Sequence, residues 1–262
     1  PVARVVGMSE NPLSPTELVG KRVLVTGSSR GIGAQVAQYC AAAGASVVIN
    51  YRNKEARAEK IAQAIRDAGG VAQTAGADLT DPVAVMTMMN GIRDSLGGLD
   101  VLVLNASGGM ESDMEDDYAM KLNRDAQVGM LTSALPLMGA GARVVFITSH
   151  QAHFIREVDT MPEYRPVALS KRAGEDALRA MAGDLDGKGI GFVVVSGDMI
   201  EGTVTATLLN RMHPGALDER KEVAGKIYNV EEFAAEVTRA IVDDIPADHT
   251  RLVGDTSSFQ PS

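Results

Sequence analysis

The sequence predicts an α/β fold, a doubly wound parallel sheet with helices on both faces, built as a single domain. Three observations carry this expectation. Five short runs are apolar at every position: Val23-Leu24-Val25, Val47-Val48-Ile49, Val101-Leu102-Val103-Leu104, Val144-Val145-Phe146-Ile147 and Phe192-Val193-Val194-Val195. Such runs suit strands covered on both faces. Between them lie segments with helical spacing at 55–68, 82–96 and 170–181, with Gly69-Gly70, Gly97-Gly98, and Gly187 and Gly189 near their ends, where glycine terminates helices. Strand, helix, strand repeated in this way implies parallel pairing through right-handed crossovers. The 262 residues are 45% hydrophobic and 23% charged, an ordinary globular composition that fits one α/β unit.

Taken in order, residues 1–19 carry Pro12 and Pro15 and no clear period, so an irregular N-terminal arm is expected, followed by the domain at 20–262. The net charge of −9 disfavours nucleic acid and anionic membrane as general partners. The single cysteine, Cys40, excludes an intramolecular disulfide framework and fits a reducing, cytoplasmic compartment. Its neighbours Ala37 and Ala41 mark a small core position rather than a reactive thiol. No basic segment followed by an apolar run opens the chain, and no window approaches the apolar length of a membrane span, so neither export nor membrane insertion is expected. The acidic stretch 111–117 lacks the ligand spacing and glycine of a calcium loop and reads as a solvated loop or helix start, so no metal is expected. Met86, Met88 and Met89 read as helix packing.

Open sheets of this kind bind ligands beyond the carboxyl ends of their strands. After the first run comes Thr26-Gly27-Ser28-Ser29-Arg30-Gly31-Ile32-Gly33, with a helical pattern from Ala34. Glycine there permits a tight turn and close backbone approach to a pyrophosphate, which the helix N-terminus meets with free N–H donors. Thr-Gly-x-x-x-Gly-Ile-Gly in this position resembles the nucleotide-binding motif of the short-chain dehydrogenases/reductases, and the likeness extends over nearly the whole chain. The resemblance implies a Rossmann-like fold and cofactor contacts from Gly27, Ser29, Arg30, Gly31, Ile32 and Gly33. Where an acidic residue often ends the second strand of NAD-dependent relatives, this chain has Asn50-Tyr51-Arg52. A carboxylate would repel a 2′-phosphate, whereas Arg52 and Arg30 can bind it with charge-assisted hydrogen bonds, so NADP(H) is favoured and NAD(H) is not excluded. Tyr51 and Arg52 join the expected cofactor contacts on this ground. Asp78 and Leu79 resemble the pair beside the adenine ring, although Asp78 is also a candidate helix cap. Asn105-Ala106 resembles the Asn-Ala-Gly turn, with Ser107 in place of glycine and Gly108 and Gly109 following.

Reduction of a carbonyl requires a proton donor and a group that holds the oxygen. The resemblance places the family's serine at Ser149 and its lysine at Lys171, as ribose ligand and as the charge that lowers the pKa of a nearby tyrosine. The usual tyrosine position, four residues before the lysine, holds Val167. Tyr164 lies one turn earlier, and Tyr-x6-Lys is similar to the spacing in enoyl-acyl-carrier-protein reductases. Seven residues along one helix span ~10 Å against ~6 Å for four. Pro166 fits a first helical turn and leaves Tyr164 just outside it, free to fold back as the acid. Asn123 matches the family's helix asparagine that supports a proton-relay water, with a purely structural asparagine as the competing reading. Ser196-Gly197-Asp198-Met199-Ile200 departs from the family's Pro-Gly pattern, and Gly197, Ile200 and Thr203 are the expected contacts near the nicotinamide carboxamide. His150 and His153 beside Ser149 raise a hydrolase reading, but there is no Gly-x-Ser-x-Gly elbow.

The expected function is NADPH-dependent reduction of a small-molecule carbonyl, or the reverse, through Ser149, Tyr164, Lys171 and Asn123. Reduction of an enoyl thioester is the alternative, with Arg165, Arg172 and Arg179 as a local patch for an acyl carrier protein. A third reading is a nucleotide-sensing protein without catalysis, which Val167 supports. The resemblance also implies a homodimer or homotetramer assembled through the helices that carry Asn123 and Lys171. It marks 201–228 as the substrate-loop region, whose polar sequence is expected to be irregular.

Overall fold

The structure, a computed structural model, describes residues 10–110 and 117–259. The first half alternates β1 (Arg22–Val25), α1 (Gly31–Ala42), β2 (Ser46–Tyr51), α2 (Glu55–Asp67), β3 (Val71–Gly76), α3 (Pro82–Leu96) and β4 (Leu99–Leu104). A short α4 (Tyr118–Met120) runs through a π-helical stretch, Lys121–Asp125, into α5 (Ala126–Ala134). The second half comprises β5 (Met138–Ser149), α6 (His150–His153), α7 (Arg165–Ala180), α8 (Ala182–Gly187), β6 (Gly191–Gly197), α9 (Val204–Met212), α10 (Ala216–Ala224), α11 (Val230–Val242) and β7 (Thr250–Val253). The strands form one sheet in the order β3-β2-β1-β4-β5-β6-β7, with every pairing parallel. The doubly wound, Rossmann-like class is therefore the one the sequence predicts.

The all-apolar runs have a direct cause in this arrangement, because successive strand residues point to opposite faces. Val23, Val25, Val47, Ile49, Val101, Val103, Val193 and Val195 pack in one core with α1 and α11. Leu24, Val48, Leu102, Leu104, Val144, Phe146, Phe192 and Val194 pack in the other, with α3 and α5. A strand covered on both sides needs an apolar residue at each position. The edge strands β3 and β7 have no such need, and their sequences Val-Ala-Gln-Thr-Ala-Gly and Thr-Arg-Leu-Val give no apolar run.

Several expectations are corrected. The stretch 201–228 is not irregular: it holds α9 and α10, with Thr203 capping α9 by accepting a hydrogen bond from Ala206 N at 3.2 Å. Only Ala206 and Leu209 of α9 are buried, which is too short an apolar stripe to read from sequence. Met88 and Met89 pack inward from α3, but Met86 is 56% exposed, because it lies off the stripe formed by Val85, Met88, Met89 and Ile92. Helix α7 begins at Arg165, ahead of the helical spacing at 170–181, with Pro166 in its first turn as its sequence implies. Residues 10–19 form turns that lie against the domain: Leu13 and Leu18 join the core around α1, and Asn11 donates to the Tyr39 carbonyl at 3.0 Å. Of the acidic stretch, 111–116 lies outside the described residues, and Asp117 pairs with Lys121 at 3.0 Å. Cys40 is fully buried, and burial pushes its thiol up to about 12. No helix among the described residues is long and apolar enough to cross a membrane.

Candidate active site

A cavity of about 720 Å³ lies along the carboxyl ends of β1, β2, β4, β5 and β6. Its first half is shaped by the turn after β1. Gly27 has φ +60, and a Cβ there would lie 3.0 Å from Ala106 Cα. A Cβ on Gly33 would lie 2.5 Å from Asn105 Nδ2 and 3.0 Å from the Gly27 carbonyl. Both glycines are thus needed for close packing of the turn against the loop after β4, whereas at Gly31, φ +58, a Cβ would meet nothing within 4 Å and the backbone lines the cavity. No side chain caps the first turn of α1, so its leading N–H groups are open to an anion. These features fit a dinucleotide pyrophosphate.

The side chains that brace this turn come from neighbouring strands. Asn105 Nδ2 donates to the carbonyls of Thr26 and Gly27, at 2.9 and 3.2 Å. Asn50, which sequence reasoning did not single out as a site residue, accepts from Gly27 N at 3.0 Å through Oδ1 and donates to Ala75 O at 3.2 Å. It is 1% exposed, and its signal was a polar residue at the buried end of an apolar run. Of the other predicted cofactor residues, Ser29, Arg30, Gly31, Ile32, Tyr51, Arg52, Asp78, Leu79, Ala106, Ile200 and Thr203 line the cavity with Gly27 and Asn105. Gly33 and Gly197 do not; Gly33 is packed beneath the turn, and Phe233 of α11 closes over Gly197. Lys54 and Arg57, missed in the sequence, line the same end as Arg52. The Arg52 guanidinium donates to the Tyr118 hydroxyl and lies 5.7 Å from the ring centroid. Asp78 accepts from Thr80 N and Thr80 Oγ1 at 2.9 and 2.7 Å, while the cap of α3 is Asp81, which accepts from Val83 N.

The second half of the cavity holds the reacting groups. Ser149 ends β5 and caps α6, its Oγ accepting from Ala152 N at 3.2 Å. Tyr164 stands just ahead of α7 with its carbonyl accepting from Ala168 N, and its side chain is buried. Its hydroxyl lies 3.1 Å from Ser149 Oγ, and either can donate. Lys171 lines the same wall, and so does Val167. Burial raises the Tyr164 pKa and the Ser149 hydroxyl opposes that rise; the expected lowering by Lys171 is not among its causes. Burial pushes Lys171 down to about 8, and its ammonium bonds to no described residue.

Asn123 sits elsewhere than a relay position implies. It does not line the cavity: Nδ2 donates to Gly108 O at 2.8 Å and Ser170 Oγ at 2.9 Å, and Oδ1 accepts from Gly108 N at 3.2 Å. Its carbonyl abuts Gly174, where any Cβ would collide. The side chain therefore ties the loop after β4 to α7 from behind the cavity wall.

The two histidines also face away from Ser149. His150 is fully buried, with Nε2 3.1 Å from Val253 O and Nδ1 2.8 Å from Ser196 Oγ. A carbonyl can only accept, so Nε2 carries the proton and Nδ1 accepts from the serine. His153 Nδ1 lies 2.8 Å from Glu175 Oε1. Neither lines the cavity, which removes the hydrolase reading. Burial lowers the His150 pKa from 6.5 to about 4, so the unfolded chain takes up this proton first as pH falls. Folding stability accordingly declines between pH 6.5 and about 4, by up to about 3 kcal/mol from this group. Urea unfolding across that range should show a slope that is shallower in His150→Asn; an unchanged slope would refute the assignment.

The arginines proposed as a carrier-protein patch are engaged within the chain. Arg165 pairs with Asp159, Arg172 Nη2 lies 2.9 Å from Asp176, and Arg179 Nε lies 2.9 Å from Glu175. Each of these guanidiniums thus has a carboxylate partner within the chain.

A doubly wound sheet, an open helix N-terminus behind a glycine turn, and a serine–tyrosine hydroxyl pair beside a buried lysine define a dinucleotide-dependent oxidoreductase site. The sequence pattern of the short chain dehydrogenase family matches residues 21–213. The chain belongs to the short-chain dehydrogenase/reductase family and is an NAD(P)-dependent oxidoreductase. It is 30% identical over 249 residues to the short chain dehydrogenase/reductase AacuN of Aspergillus aculeatus, covering 92% of this chain and 89% of that one. It is 34% identical over 179 residues to the versicolorin reductase stcU of Emericella nidulans, covering 66% of each. Among solved structures it is similar to the angucycline C-6 ketoreductase LanV with bound NADP, at TM-score 0.75 and 25% identity over 92% of this chain and 96% of that one.

Proposed function

We propose that this chain is an NADPH-dependent carbonyl reductase, working in either direction on a small-molecule ketone or alcohol. The observation that carries the reading is the Ser149–Tyr164 hydroxyl pair, 3.1 Å apart at the cavity wall. NADPH, when bound, supplies the hydride. Gly27, the first turn of α1 and Asn105 hold the nucleotide end in place, and Lys171 is positioned to bind ribose hydroxyls. Ser149 holds the carbonyl oxygen by hydrogen bonding. Tyr164, whose burial favours the protonated phenol, donates the proton as negative charge develops on that oxygen. The named relatives and the NADP-bound neighbour support reduction of a ketone with this cofactor. Reduction of an enoyl thioester rests on the Tyr-x6-Lys spacing alone, while the retained Ser149 favours the carbonyl. Incubation with NADPH and matched panels of ketones and enoyl thioesters tests the reading: turnover of ketones is expected, and turnover confined to the thioesters would overturn it.

The preference for NADPH rests on Arg30, Arg52, Lys54 and Arg57 around the cavity end where β2 supplies no carboxylate. Charge-assisted bonds to a 2′-phosphate should make kcat/KM for NADPH at least about 10-fold higher than for NADH, and Arg52→Ala should narrow that ratio. Equal use of the two cofactors would defeat this part. We further take the chain to work in the cytoplasm as a homodimer or homotetramer through the helical segment that carries Asn123, continuing into α5, and through α7, with sedimentation as the check on assembly.

A further inference from the structure

The carbonyl-reductase reading leaves open what distinguishes one ketone from another, and a side chain outside that mechanism speaks to it. Gln151 lies in α6, two residues beyond Ser149, and lines the same cavity. Its Nε2 donates to Asp198 Oδ1 at 2.9 Å. Asp198 follows β6 and is 8% exposed. The same Oδ1 accepts from Met199 N at 2.7 Å, and Oδ2 accepts from Arg220 Nε at 2.6 Å. Arg220 is itself held: Nη2 donates to Ser258 Oγ at 2.8 Å, and the guanidinium lies 4.6 Å from the centroid of the Phe259 ring.

This chain of contacts fixes the orientation of an amide that is otherwise free to turn over. A carboxylate paired with arginine only accepts, so Gln151 must present its NH2 group to Asp198 and keep its carbonyl on the other side. Oε1 accepts no hydrogen bond from any described residue, and it is not sealed from solvent as a buried unpartnered atom would be. An acceptor with a fixed direction, on a cavity-lining side chain two residues beyond Ser149, therefore has no donor among the described residues.

We propose that Gln151 Oε1 is a specificity-determining acceptor for a hydroxyl group of the substrate, so that the preferred ketones carry a hydroxyl apart from the reacting carbonyl. Asp198 and Arg220 are its positioning residues. The inference rests on the carbonyl-reductase reading. A site built to meet a hydroxyl discriminates against the ether and the unsubstituted analogue, because each leaves the acceptor unpaired and the ether presents oxygen to oxygen.

The test measures NADPH-dependent kcat/KM for α-tetralone, for its ring-hydroxylated isomers other than the one whose hydroxyl bonds its own carbonyl, and for their methyl ethers. At least one hydroxylated isomer should exceed both its methyl ether and α-tetralone by about 5-fold or more. In Gln151→Met that ratio should fall to about 1 while turnover of unsubstituted α-tetralone is kept. A purely structural role for Gln151 would lower all the ketones together, leaving the ratio as it was, and that result overturns the proposal. So does the absence of any preference for a hydroxylated isomer in the unsubstituted protein. Failure of every ketone while enoyl thioesters are turned over is a different outcome: it overturns the carbonyl-reductase reading itself and this assignment with it.

Discussion

Replacing Tyr164 with Phe should lower kcat for ketone reduction at least about 100-fold, the contribution expected of a positioned general acid. The substitution removes one hydroxyl and leaves the ring in its packed place against Ala152, Val167 and Leu209. Ser149 remains fixed by its bond to Ala152 N, so the carbonyl still has one partner. What is lost is the proton. No other described hydroxyl bonds to Ser149 Oγ, and the histidines that adjoin it in sequence are turned away. Because burial raises the Tyr164 pKa, the phenol keeps its proton at neutral pH and is a donor rather than a base in the reducing direction. The affinity for NADPH, followed by fluorescence, should change little, since the glycine turn and Lys171 are untouched. Turnover that survives in Tyr164→Phe would remove this residue from the mechanism and leave Val167 at the family's tyrosine position without a replacement.

The parts of this site that were legible in the sequence are those whose cause is local. The central strands announced themselves because both faces are covered, and the phosphate turn because glycine, strand and helix adjoin within Val25 to Ala34. Pro166 gave the start of α7, and hence the place of Tyr164 just ahead of it. The edge strands β3 and β7 escaped notice because one neighbour and partial exposure impose no apolar run. Asn50, Gln151, Asp198 and Arg220 escaped for another reason. Each acts through a partner distant in sequence: Asn50 reaches back to Gly27, Gln151 reaches Asp198, and Asp198 reaches Arg220. Nothing within a window around any of them reveals that partner. Asn123 shows the converse case, where a motif match drew attention to the residue while its side chain's actual bonds, to Gly108 and Ser170, could be read only in three dimensions.

Lys171 links function to stability, and its replacement should move the two in opposite directions. Lys171 is 8% exposed, has no carboxylate partner among the described residues, and is pushed down from 10.5 to about 8 by burial alone. A lysine whose pKa is lower in the folded state binds protons less tightly there than in the unfolded chain. Stability therefore rises with pH between about 8 and 10.5, and below about 8 the full cost of burying the charge is present. At 1.36 kcal/mol for each pKa unit, that cost is about 3 kcal/mol. Lys171→Met keeps the length of the side chain and removes the charge, so at pH 7 it should raise the free energy of unfolding by up to about 3 kcal/mol. The gain should vanish above pH 10.5, where the native lysine is neutral in both states. The same variant should bind NADPH roughly 10- to 100-fold more weakly, because the ribose hydroxyls lose a charged hydrogen-bond donor. Denaturant unfolding at pH 7 and pH 11, with cofactor titration at pH 7, measures both effects. If Lys171→Met is no more stable than the native chain at pH 7, the ammonium is solvated or paired, and its poise as an unpartnered charge awaiting the cofactor ribose is wrong.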